Sequence, residues 1–111
     1  MSEAYVERRS APRVAMAGSA RLDRPLAMSV RLLDIGLSGV LLSGSQSLDV
    51  GQCARLSARL GEVAVEADIE IRRVGTRRDG RAGGYNLGAR FVSLDETTRQ
   101  VMQQFLSAAG R

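Results

Sequence analysis

Apolar and polar residues alternate with a period of two along most of this chain, the mark of strands with one face buried. The clearest case puts Val63, Val65, Ala67, Ile69 and Ile71 on one face and Ala64, Glu66, Asp68, Glu70 and Arg72 on the other. Just before it, Ala54, Leu56, Ala58 and Leu60 alternate with Cys53, Arg55, Ser57 and Arg59, and Gly61-Glu62 joins the two runs as a two-residue hairpin. This places Arg55 and Arg59 across from the acidic face. A weaker alternation from Arg13 through Val14, Met16, Gly18, Ala20 and Leu22 predicts a first strand, closed by a turn at Asp23-Arg24-Pro25. Met28, Val30 and Leu32 mark a second strand, and Val40-Leu41-Leu42 a short third. Ser43 to Ser47 and Asp49-Val50-Gly51 read as loop and turn. Gly75 to Gly84 reads as a flexible hairpin loop, and Tyr85, Leu87, Ala89 and Phe91 carry the last strand.

The period then changes. Val101, Met102, Phe105 and Ala109 recur at helical spacing, and Gly110 stops the run. Ser93 and Glu96 stand at capping-box spacing, with Asp95 as an alternative cap. Six or seven strands joined by glycine-rich turns, then a helix at about 95–109, predict an all-β antiparallel barrel or sandwich with the helix plugging one end. Residues 1–8 read as a mobile lead-in, and 9–111 as a single domain.

Composition narrows the chemistry. The chain of 111 residues is 44% hydrophobic with only 4% aromatic, so the core is built from Val, Leu, Ile and Ala. It has no His, and its single Cys53 lacks a partner base, which excludes Ser/His/Asp and Cys/His nucleophiles and the common zinc sites. The expectation is a protein that is not an enzyme and needs neither metal nor cofactor. No run is long enough to span a bilayer and no signal peptide stands out, so a cytoplasmic protein without membrane insertion is expected. The net charge is +4, and all sixteen basic residues are arginine. Guanidinium binds phosphate through a planar fork and stacks on flat rings. An anionic partner is therefore expected.

Two short patterns give that expectation a site. Arg8, Arg9 and Arg13 fall within six positions ahead of the first strand, and Pro12 disfavours helix there. Between the second and third strands lies Asp34-Ile35-Gly36-Leu37-Ser38-Gly39. Two arginines can hold phosphates or stack on a purine. A carboxylate can accept both the N1–H and the 2-amino group of guanine, a donor pair that adenine lacks. Glycines let a flat ring approach the backbone. The Walker loop and the dinucleotide fingerprint are absent. The combination is suited to a guanine nucleotide bearing phosphates. A further arginine group, Arg72, Arg73, Arg77, Arg78 and Arg81, reads as a solvated hairpin.

Taken together, these residues resemble the PilZ domain, a bacterial receptor module for cyclic di-GMP. That family carries Arg-x-x-x-Arg before its first strand, matched by Arg9 and Arg13, and Asp/Asn-x-Ser-x-x-Gly after its second, matched by Asp34 and Gly39. Gly84-Tyr85-Asn86-Leu87-Gly88-Ala89-Arg90-Phe91, followed by Leu94-Asp95, resembles its last strand running into its helix. The resemblance implies a non-enzymatic cyclic di-GMP receptor whose ligand contacts are Arg8, Arg9, Arg13, Asp34, Gly36, Ser38 and Gly39. It implies that the arginine segment orders on the ligand and signals to a downstream protein, and that Arg8 favours an intercalated ligand pair. One position departs: Gly36 stands where the family has serine, and a lost hydrogen bond there weakens binding by about 0.5–3 kcal/mol. The alternative is a degenerate adaptor that binds a protein without nucleotide, although such members typically lack the arginines. A nucleic-acid-binding barrel ranks last, because four aromatics are too few to interleave with the basic residues, so no DNA partner is expected.

Overall fold

The computed structural model describes residues 13–23, 27–77 and 84–109, so the predicted lead-in at 1–8, with Arg8 and Arg9, lies outside the described residues. Among the described residues six strands form: β1 (Arg13–Leu22), β2 (Met28–Gly36), β3 (Gly39–Gly44), β4 (Cys53–Leu60), β5 (Val63–Arg77) and β6 (Gly84–Ser93). Among the same residues one helix, α1 (Glu96–Ala109), follows. Every strand pairing is antiparallel, and the order β1-β2-β3-β6-β5-β4 closes into a barrel. Closure comes from Ala20↔Ala58, Arg21↔Ser57 and Leu22↔Leu56 between β1 and β4. It removes the open edge that an exposed sheet would carry there.

The alternating apolar residues point inward. Leu22, Leu32, Leu42, Ile69, Ile71 and Leu87 are fully buried and lie in one cluster with Met102 and Leu106 of α1. Burying each large aliphatic side chain contributes about 1.5–3 kcal/mol. Tyr85 and Phe91 pack against this cluster while partly buried. The acidic face of β5 turns outward, where Arg55 donates to Asp68 at 3.1 Å and to Glu66 at 3.2 Å. The turns follow from glycine. Gly61 has φ of +66° while Glu62 has no positive φ, the type II′ pattern for a two-residue hairpin. Gly51, at +93°, sits third in a type II turn closed by the Gln52 N–H donating to the Asp49 carbonyl at 3.0 Å.

Two expectations are corrected and a third is extended. The 75–84 segment is not wholly loop: β5 runs to Arg77 and β6 starts at Gly84, with Thr76↔Tyr85 and Arg77↔Gly84 paired. The helix cap is Asp95, not Ser93. Its Oδ1 accepts the Thr98 backbone N–H at 2.7 Å, three positions into the helix. The buried stripe of α1 also includes Leu106, one turn after Met102.

Alternation breaks at two places that matter below. The β2–β3 register shifts between Leu32 and Asp34. The β5–β6 register shifts between Ile71 and Arg73. In strict alternation Asp34 would share the inward face of Leu32, and Arg73 that of Ile71. The extra residues Leu33 and Arg72 reverse the phase, so Ile35 stays buried while Asp34 and Arg73 turn outward.

Candidate functional site

The outward residues of β1, β2, β3, β6 and β5 form lateral rows that can be read from the pairings. One row runs Arg13, Gly36 on β2, then Gly39, Arg90 and Glu70 along β3, β6 and β5. The next runs Ala15, Asp34, Leu41, Gly88 and Arg73. The β2–β3 hairpin thus carries Asp34 and both motif glycines on the outer wall. The start of β1 holds Arg13 beside them.

Arg13 and Asp34 are joined directly. Arg13 Nη1 donates to Asp34 Oδ1 at 2.8 Å, with both side chains partly exposed, at 30% and 27%. An ion pair this open contributes about 0–1 kcal/mol, so a ligand can displace it or share it at little cost. Sharing is chemically simple. Among the described residues the second carboxylate oxygen of Asp34 stays available as an acceptor, and the guanidinium keeps four further N–H donors.

The two motif glycines flank the hairpin turn, β2 ending at Gly36 and β3 starting at Gly39. Neither Gly36 nor Gly39 has positive φ, so the turn does not require glycine for its dihedrals. A Cβ on Gly39 would collide with the Ala89 carbonyl oxygen and lie 3.2 Å from Arg90 Cα. Gly39 therefore lets β3 approach β6. Ser38, exposed at the hairpin tip, anchors that approach: its carbonyl accepts the Phe91 N–H at 3.0 Å.

Three residues beside the hairpin were not among the sequence candidates. Arg90 faces Gly39 and donates from Nε to Glu70 Oε1 at 2.7 Å. Leu41 is half-buried on the outer wall between Asp34 and Gly88. Arg73 is exposed at the far end of that row and makes no ion pair among the described residues. The sequence held one signal for Arg73: the apolar spacing lengthens from two at Ile69 and Ile71 to three at Val74, as a bulge requires. Among the described residues no cluster of three His, Cys, Asp or Glu could hold a metal, and no helix is long and apolar enough to cross a membrane.

Known structures repeat this architecture. The PilZ domain of YcgR from Escherichia coli, solved with c-di-GMP, superposes with a TM-score of 0.76 at 18% identity, over 94% of this chain and 92% of that one. The inhibitor of motility MotI/DgrA from Bacillus subtilis gives 0.76 at 17% identity, over 91% of this chain and 50% of that one. MrkH, a c-di-GMP-dependent transcription regulatory factor, gives 0.72 at 13% identity, again over 91% and 50%. This chain thus spans about half the length of those two proteins. At such identities the likeness is one of fold. A comparison with curated proteins gives no match. Membership rests on sequence: the model of the PilZ domain matches residues 7–108, from the first basic residues through the six-stranded barrel and into the last turn of α1, and the chain belongs to the PilZ domain family.

Proposed function

We propose that this protein is a non-enzymatic receptor for cyclic di-GMP in the bacterial cytoplasm. The observation that carries the reading is the Arg13–Asp34 pair at 2.8 Å, held beside the Gly36–Gly39 hairpin on the outer wall of a PilZ barrel. Arg9 and Arg13 meet the phosphates and stack on guanine, with Arg8 adding a stacking surface for a second, intercalated ligand. Asp34 reads the guanine edge. Gly36 and Ser38 border the base, and Gly39 sets the strand spacing beneath it. Binding orders residues 5–13 against the barrel and creates a surface for a partner protein. The c-di-GMP in the YcgR structure supports the choice of ligand.

Calorimetry with cyclic di-GMP, using GTP and cyclic di-AMP as controls, tests the reading. Saturable heat with cyclic di-GMP alone is expected, and Arg13→Ala removes most of it. Absence of heat at high micromolar ligand in low salt rejects it, and an Arg13→Ala variant that binds as tightly as the parent rejects the clamp.

Gly36 favours a second reading, that of a PilZ adaptor which binds a protein and no nucleotide. A partner retained equally with and without cyclic di-GMP supports that alternative.

A further inference from the structure

We propose that Arg73 is a further ligand-contacting residue of this site, closing over the face of a guanine that lies on Leu41 and Gly88 with its edge at Asp34. The inference rests on the cyclic di-GMP reading and adds a residue outside both motifs. Its basis is the row Asp34, Leu41, Gly88, Arg73, four positions in direct register across β2, β3, β6 and β5. Adjacent strands lie about 4.8 Å apart, so the row spans roughly 14 Å from the first to the last.

Each position supplies what a bound purine needs. Asp34 is the acceptor for the ring edge. Leu41 offers half-buried apolar surface, and Gly88 offers backbone without a side chain. Arg73 presently occupies that space: a Cβ on Gly88 would lie 3.6 Å from Arg73 Cβ and 3.8 Å from its Nε. A flexible guanidinium resting over a bare glycine can lift and settle on the outer face of an incoming ring, as planar cations do on aromatic systems. Arg90 is held by Glu70, whereas Arg73 has no ion pair among the described residues to break first.

The two ends of the row are aimed by the same device. The register shift at Leu32/Asp34 turns Asp34 outward, and the shift at Ile71/Arg73 turns Arg73 outward. Without both irregularities the acid and the guanidinium would not share a surface. Bulges that re-aim side chains are concentrated beside binding sites.

The test is a titration of the intact chain with cyclic di-GMP for the parent, Arg73→Ala, Arg73→Lys, Asp34→Ala and Arg99→Ala. Arg99 is exposed on α1 and controls for loss of one positive charge. Arg73→Ala is expected to weaken binding at least fivefold with unchanged melting temperature. Arg73→Lys, which keeps the charge but loses the plane, is expected to fall between Arg73→Ala and the parent. Arg99→Ala is expected to match the parent. If Arg73→Ala stays within twofold of a parent that Asp34→Ala disables, the inference fails alone. Equal weakening by Arg73→Ala and Arg99→Ala also overturns it, because bulk charge then explains the loss. Arg73→Lys binding as tightly as the parent overturns the stacking role. A parent that does not bind overturns the receptor reading and this inference with it.

Discussion

Gly36 and Gly39 flank the turn of one hairpin, both buried and both with ordinary φ. Gly39 is demanded by packing, since any side chain there meets the Ala89 carbonyl. Gly39→Ala is expected to destabilise the fold by about 1–3 kcal/mol, read as a lower denaturation midpoint. Gly36 has ordinary φ, so a serine can adopt its backbone conformation. Gly36→Ser restores the family's hydroxyl and is expected to tighten cyclic di-GMP binding by about 0.5–1.4 kcal/mol, or roughly 2- to 10-fold. A Gly36→Ser protein that is stable but binds no better would show that the hydroxyl has no partner in this site. Residue type and order grouped Arg13 with Asp34 around a shared ligand but did not foretell their direct ion pair. The packing role of Gly39 was not legible either, because a motif glycine looks the same in sequence whether a ligand or a neighbouring strand needs the space.

Element boundaries followed the periodicity wherever it was regular and failed where it broke. The clean alternation of β4 and β5 placed Arg55 and Arg59 across from the acidic face; Arg55 meets Asp68 and Glu66, whereas Arg59 stands opposite Ala64 and donates to the Glu62 carbonyl. The bulge at Leu33 left no mark in a period-two reading and that at Arg72 only the lengthened spacing to Val74, although both decide which residues face outward there. Helix α1 was legible as amphipathic, but two capping candidates stood in its lead-in and geometry selects Asp95. Its carboxyl is held below the ordinary value, chiefly by the Thr98 backbone N–H, then by the Thr98 hydroxyl and the charge of Arg55. A lowered folded-state pKa means the capping contribution is complete above the unfolded value, about 3.9, and is lost as pH falls through the folded one. Asp95→Ala should therefore lower the melting temperature at neutral pH, with the gap to the parent narrowing below about pH 4. Asp95→Asn, which keeps an acceptor without the charge, should retain most of the parent's stability at neutral pH. A gap unchanged between pH 7 and pH 3 would count against the cap.

Across the whole molecule, barrel closure is uneven, and the unevenness bears on signalling. β1 pairs with β2 from Arg13↔Gly36 to Leu22↔Met28, but with β4 only at Ala20, Arg21 and Leu22. Among the described residues its far end is stitched on both sides into the core, while the end bearing Arg13 is paired on one side. Local opening is easiest where backbone hydrogen bonds are fewest, so stability should fall along β1 toward Arg13. The arginine segment continues from that weak end. Ordering it over a ligand at Asp34 would lend β1 support on the site side and pass the binding event into the barrel wall. Hydrogen exchange should therefore show faster exchange at residues 13–18 than at 19–22 in the free protein. Cyclic di-GMP should slow residues 5–18 while leaving the β4–β5 hairpin unchanged. Uniform protection along β1 without ligand would remove the premise. Protection that spreads equally over β4 and β5 would indicate general tightening of the barrel in place of a local order-on-binding switch.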